Sequence, residues 1–116
     1  MSELNCLFCK IINGEIPGEF VHQDDRCVVI RDINPQAPTH VLVIPREHTA
    51  SLDEATAGDE QLLGHLLRVG ARVANAEGLE ESGYRTVINT GAGAGQSVLH
   101  IHVHVLGGRA LSWPPG

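Results

Sequence analysis

The sequence predicts an α+β domain with a five-stranded antiparallel sheet and two helices. Three observations carry this: a long stretch with helical apolar spacing, several short β-branched runs, and an order of helix, strands, helix, strands along the chain. The 116 residues suit one domain spanning 1–116, without repeats or a linker.

Residues 5–13 (NCLFCKIIN) read as a short helix with Asn5 as its cap and Gly14 at its close. Pro17 opens an extended region, and strands are expected at 19–23 and 26–31 around an Asp24-Asp25 turn. The run CVVI (27–30) is β-branched enough for a buried strand, with Cys27 in the core. Two prolines make 34–38 a loop, and 40–45 a third strand ended by Pro45. Residues 59–78 form the clearest helix, since Leu62, Leu66, Val69 and Val73 recur every three to four residues. Asp59 and Glu60 stand at its positive end, Gly78 stops it, and Gly70 suits close packing on the sheet. Strands are expected at 84–89 and 99–107, joined by the glycine-rich loop 91–97. His22 and His65 have no partner pattern and are expected at the surface.

Composition excludes several classes. Hydrophobic residues are 42% and charged residues 19%, so the chain is globular rather than disordered. A net charge of −6 argues against nucleic acid as a partner. No apolar run is long enough to cross a bilayer, and no membrane partner is expected. The stretch MSELNCLFCKIINGE lacks a signal-peptide layout, so a cytoplasmic location is expected. Three cysteines, an odd number, make a disulfide framework unlikely there.

The chemistry gathers near residue 100. His100, His102 and His104 alternate with Ile101, Val103 and Val105, which puts the imidazoles on one face of a strand and the apolar residues on the core face. Residues four apart on a strand are about 13 Å apart, so three rings cannot easily share one metal. A division of labour fits better: one ring for chemistry, the others for orientation or charge. Gly91, Gly93 and Gly95 let backbone amides approach an anion, and Gln96 and Ser97 add donors beside them. A neutral imidazole whose other nitrogen is held by a hydrogen bond can attack phosphorus. No Walker lysine or paired metal-binding carboxylates accompany it. Cys6-x-x-Cys9 has a spacing compatible with zinc, and equally with two reduced thiols on a short helix.

The motif HIHVHVL, with CLFCKIINGEIP, GAGAGQS and the ending LGGR…WPPG, resembles the histidine triad family, and within it the Hint branch of nucleotide-binding proteins. The fragile-histidine-triad branch, which cleaves dinucleoside polyphosphates, lacks this tail. The resemblance implies a homodimer whose two sheets join, with tail 109–116 at the interface and Trp113 at the partner's site. It implies hydrolysis of the P–N bond of purine nucleoside phosphoramidates. His102 would be the nucleophile, His104 would contact the phosphate, and His40 would support the triad. Asn89, Gly95, Gln96 and Ser97 would line the phosphate site, with Ser97 near the leaving amine. Asp32 would bind ribose hydroxyls, and Ile33, Leu7 and Phe8 the base. The resemblance also implies that His48 and His100 complete a structural zinc site with Cys6 and Cys9; no metal would be required for catalysis. The same pocket would serve a regulatory nucleotide-binding module with incidental hydrolysis, or a dinucleoside polyphosphate hydrolase. A metal buffer built on the thiols and imidazoles is a third class.

Overall fold

A computed structural model describes residues 5–116; residues 1–4 of the expected domain lie outside the described residues. The elements are α1 (Leu7–Ile12), β1 (Phe20–Gln23), β2 (Cys27–Arg31), β3 (Thr39–Pro45), α2 (Glu60–Ala76), β4 (Tyr84–Val87) and β5 (Val103–Gly107). The strands form one sheet in the order β1-β2-β3-β5-β4, every neighbouring pair antiparallel.

Both faces of the sheet are covered, which explains why β2 is a continuous apolar run and why all seven residues of β3 are buried. Alternate side chains divide between two cores. Cys27, Val29, Val41, Val43, Val103 and Val105 pack against Leu66, Val69 and Val73 of α2. Val28, Ile30, Leu42 and Ile44 pack against Phe8 and Ile11 of α1. Gly70 lets α2 approach the sheet, because a Cβ there would come within 3.2 Å of Val105 Cγ2.

Three expectations are corrected. Cys6, not Asn5, caps α1: its sulfur accepts from the Cys9 N–H at 3.4 Å. The last strand begins at Val103 rather than 99. Continued in register, Ile101 would face Pro45 of β3, but Pro45 has no N–H to give and its carbonyl accepts from His100 Nε2, and the Ile101 N–H donates instead to Thr49 O at 2.8 Å. His22 and His65 are not solitary surface residues, since both Nε2 atoms lie on Asp24 Oδ2, at 3.1 and 2.9 Å. The Asp24 turn is as expected, with Oδ1 accepting from the Arg26 and Cys27 amides at 2.8 Å each.

Candidate functional site

The parity of the histidine segment holds: Ile101, Val103 and Val105 enter the α2 core, and the histidines point to the opposite face. That face is not an open row of bases. Helix α1 covers part of it, leaving His100 fully buried and His102 only 6% exposed. Phe8 stacks edge-on against His102, with ring centres 4.9 Å apart.

Between α1, the end of β2 and loop 97–98 lies a cleft of about 260 Å³. Leu7, Phe8, Asp32, Ile33, Ser97, His102 and His104 all line it, so seven of the expected ligand residues converge. Ile11, Ile16, Pro17 and Val98 complete an apolar wall that no sequence motif marks. A hollow of about 510 Å³ bordered by Cys6, Leu7, Ser97 and Val98 adjoins it. A concavity of about 330 Å³ between β1 and α2 has His22 but none of the triad.

The three triad rings differ because their partners differ. His100 Nε2–H donates to Pro45 O at 2.8 Å, leaving Nδ1 as a lone pair. His102 Nδ1–H donates to His100 O at 2.7 Å, leaving the Nε2 lone pair on the cleft side. His40 Nδ1 accepts the Gln36 N–H at 3.0 Å, so His40 Nε2–H donates to His104 Nδ1 at 2.9 Å. His104 therefore carries its proton on Nε2, as a donor. The register sets this pair up: His40 faces Leu106 and Leu42 faces His104, so the two histidines are diagonal neighbours on one face. Asp32 Oδ2 stands 3.4 Å from His40 Nε2, and Oδ1 accepts the Asn34 N–H.

Burial keeps these rings uncharged. It lowers the pKa of His40 and of His102, and pushes His104 down to about 4, where the neighbouring His102 and His40 add to the effect. Neutral rings match the tautomers that the hydrogen bonds assign.

The glycine loop is built differently from the expected nest. Gly91 N–H donates to Gln96 Oε1, and Gly95 N–H to Ala92 O, so both amides turn inward. Gly91 and Gly95 have φ of +87° and +91°, which favours glycine. Gln96 does not present its amide group to the cleft: Nε2 donates to Ala50 O and Val98 O at 2.7 and 3.1 Å. It is a staple that holds Ser97 in place. Asn89, Gly95 and Trp113 do not line the cleft of their own chain, and Trp113 is 82% exposed. Arg85 holds the tail preceding it, donating to Leu111 O and Ser112 O. The roles of Gln36, Pro45 and Ala50 pass through backbone atoms, for which the sequence carries no signal.

Next to the cleft, Cys6, Cys9, His48 and His100 bring four ligand atoms within 4.8 Å of one another. Cys6 Sγ to His100 Nδ1 is 3.3 Å, Cys9 Sγ to His48 Nδ1 3.4 Å, Cys9 Sγ to His100 Nδ1 3.6 Å, and His48 Nδ1 to His100 Nδ1 3.2 Å. Tetrahedral zinc with usual bond lengths sets sulfur–nitrogen edges of about 3.6 Å and nitrogen–nitrogen edges of about 3.3 Å. The cluster fits a structural zinc ion with two thiolates and two imidazoles. All four positions of such an ion are taken by protein, so it would hold α1 against the triad segment without a place for water.

The HIT domain model matches residues 13–111. A HIT-like protein of Synechococcus elongatus is 57% identical over 116 residues, all of both chains. The 14 kDa zinc-binding protein of Zea mays is 52% identical over 112 residues, 95% of this chain and 87% of its own. Among solved structures, a HIT family hydrolase from Legionella pneumophila superposes with a TM-score of 0.94 at 52% identity, covering 97% of this chain and 100% of its own. Among the described residues, no helix is long and apolar enough to cross a membrane.

Proposed function

The chain belongs to the HIT domain family, and from that premise we propose that it is a Hint-branch hydrolase cleaving the P–N bond of purine nucleoside phosphoramidates. One observation carries the reading: a neutral His102, its Nδ1–H fixed on His100 O, offers Nε2 to a cleft it shares with His104 and Ser97. Nε2 attacks phosphorus, a nucleotidyl–histidine bond forms and the P–N bond breaks. The amine leaves with a proton delivered through Ser97. Water then cleaves the intermediate and releases the nucleoside monophosphate. His104 Nε2–H is the donor suited to the charge that builds on the phosphoryl oxygens. Asp32 is assigned to the ribose hydroxyls, and Leu7, Phe8 and Ile33 to the base. Ser97, which lines the cleft, is assigned to the phosphate end; the resemblance also assigns Asn89, Gly95 and Gln96 there, although in this chain they lie outside the cleft lining.

Cys6, Cys9, His48 and His100 would hold zinc, as the name of the Zea mays relative supports for that protein. The ion would supply cross-linking only. We place the protein in the cytoplasm as a homodimer, with Trp113 of the tail directed to the second copy.

The test is intact-mass and peptide mass spectrometry of protein quenched during turnover of an adenosine phosphoramidate. A single nucleotidyl adduct on His102 is expected. His102→Gln keeps nucleotide binding and loses at least about a thousandfold in turnover. Hydrolysis that survives His102→Gln overturns the proposal. Nucleotide binding without turnover in the wild type supports the regulatory reading instead.

A further inference from the structure

The tail that follows β5 runs back to the loop in front of β3, and the contact leads to the triad. Residues 34–38 (NPQAP) precede the ladder of β3, and the two prolines offer no N–H. Within the loop, Gln36 Nε2 donates to Asn34 O at 2.9 Å. Among the described residues, Arg109 supplies the side-chain donor from outside the loop: its Nε–H donates to Gln36 O at 2.9 Å, and its Nη1 to Ala110 O at 2.9 Å. The tail lies this close because residue 108 is glycine; a Cβ there would stand 2.9 Å from Pro38 Cβ. Gln36 in turn gives its N–H to His40 Nδ1 at 3.0 Å, and His40 Nε2–H goes to His104 Nδ1 at 2.9 Å. Guanidinium, Gln36 backbone, His40 and His104 thus stand in series.

We propose that Arg109 is a positioning residue for the His104 proton: by holding the Gln36 carbonyl it keeps the Gln36 amide on His40 Nδ1, and so keeps His104 a donor at Nε2. The kinetic consequence rests on the hydrolase reading above; the proton placement does not. Arg109 is exposed and outside the cleft lining, so it acts through the loop and not on a ligand. The arginine ion pairs among the described residues are those of Arg31 with Glu19 and Glu77, and Arg109 spends its donors on backbone carbonyls instead. Pro35 locks φ ahead of Gln36, so the direction of the Gln36 amide turns mainly on rotation at its own Cα, which a bond to its carbonyl limits. The competing arrangement needs no change of charge. Once the Gln36 amide swings away, His40 can carry its proton on Nδ1 and accept at Nε2. His104 then carries its proton on Nδ1 and turns a lone pair at Nε2 to the cleft. Each ring keeps one proton. A lone pair there repels the charge that builds on the phosphoryl oxygens, where an N–H stabilises it. Burial disfavours charging either ring, which leaves the choice of tautomer to hydrogen-bond partners.

The test removes the guanidinium and reads where the protons sit. Arg109→Met keeps the apolar stem without a donor, and Arg109→Lys keeps a cationic donor. Long-range proton–nitrogen NMR correlation spectra of the full-length protein report which nitrogen of each imidazole is protonated. In wild type, His40 and His104 should both carry the proton on Nε2. In Arg109→Met both should shift toward Nδ1, while His102, held by His100 O, keeps its own on Nδ1. Steady-state hydrolysis of an adenosine phosphoramidate should then show kcat lowered about tenfold with KM little changed, and Arg109→Lys should recover most of the loss. A merely structural role for the tail would lower the melting midpoint and leave the tautomers as they are. Wild-type tautomers in Arg109→Met overturn the proposal, and so does an unchanged kcat. The spectra need no substrate, so a wild type that leaves phosphoramidates intact defeats the hydrolase reading while the proton placement is still decided.

Discussion

Removing zinc from the Cys6–Cys9–His48–His100 cluster should lower the thermal midpoint of the protein by about 11–17 °C, and the size follows from the geometry. The donor separations of 3.2–3.6 Å already match a tetrahedral shell, so the folded chain binds the ion without rearrangement. The unfolded chain has the thiols three residues apart but the two imidazoles far along the sequence, so it binds far more weakly. Stabilisation is then set by mass action: about 2.7 kcal/mol when free zinc is 100 times the dissociation constant, and about 4.1 kcal/mol at 1,000 times. An unfolding entropy near 2.1 cal/mol/K per residue gives about 0.24 kcal/mol/K for 116 residues. Dividing one by the other yields the stated range. Calorimetry with and without a chelator reads it directly, and restored zinc should restore the midpoint. Cys6→Ser should show the low midpoint whether or not zinc is added. A chelator-treated protein that melts with the untreated one would refute the reasoning, because a preorganised four-donor shell cannot be emptied without cost.

Three further outcomes are expected. Because burial lowers the pKa of His102 below its ordinary 6.5, turnover should stay level as pH falls to that value and decline only in more acid solution; an acid limb centred at or above 6.5 in the pH–rate profile would contradict a buried neutral nucleophile. His40→Phe removes the Nε2–H that fixes the His104 tautomer, so kcat should fall by up to about a hundredfold with KM little changed, measured by steady-state hydrolysis. Gly107→Ala puts a Cβ 2.6 Å from Leu79 Cδ1 and 3.2 Å from Gly83 O, so urea denaturation should report a loss of about 1–3 kcal/mol.

The parts of this fold visible in the sequence are those governed by local period. The Leu62–Val73 stripe gives α2, and the CVVI run gives a strand covered on both sides. The alternation in HIHVHV separates imidazoles from core residues, and Cys6-x-x-Cys9 marks half of a metal shell. What stayed hidden depends on contacts distant in sequence. β5 starts at Val103 because Pro45, which would face Ile101, lacks an N–H and gives its carbonyl to His100 Nε2, while Thr49 captures the Ile101 amide. The burial of His100 and His102 depends on α1 lying across them, which no residue of the triad announces. Gln96 looks like a ligand donor in sequence and is a loop staple in space, because Ala50 O, 46 residues away, competes for its amide. His65 and Asp24 meet across 41 residues, and a lone histidine on a helix gives no sign of that.

Repeating one residue type three times does not repeat one function, and the cause lies in what each ring faces. Pro45 O takes the Nε2 proton of His100 and turns its Nδ1 to the thiols. His100 O takes the Nδ1 proton of His102 and turns its Nε2 to the cleft. His40 donates to Nδ1 of His104 and so leaves it a donor at Nε2. On the proposed mechanism, a ligand, a nucleophile and a proton donor thus arise from identical side chains through two carbonyls and one imidazole. The first two roles are also mechanically joined. The carbonyl that orients His102 belongs to His100, whose ring is in the four-donor cluster, so an ion bound there would limit how far that carbonyl can turn. On that mechanism, an ion that supplies no chemistry would still govern the reaction, by keeping the lone pair of His102 on the cleft side. It follows that zinc removal should depress kcat more than it weakens nucleotide binding. If the metal served only to hold α1 and the base-side residues Leu7 and Phe8, binding would suffer first.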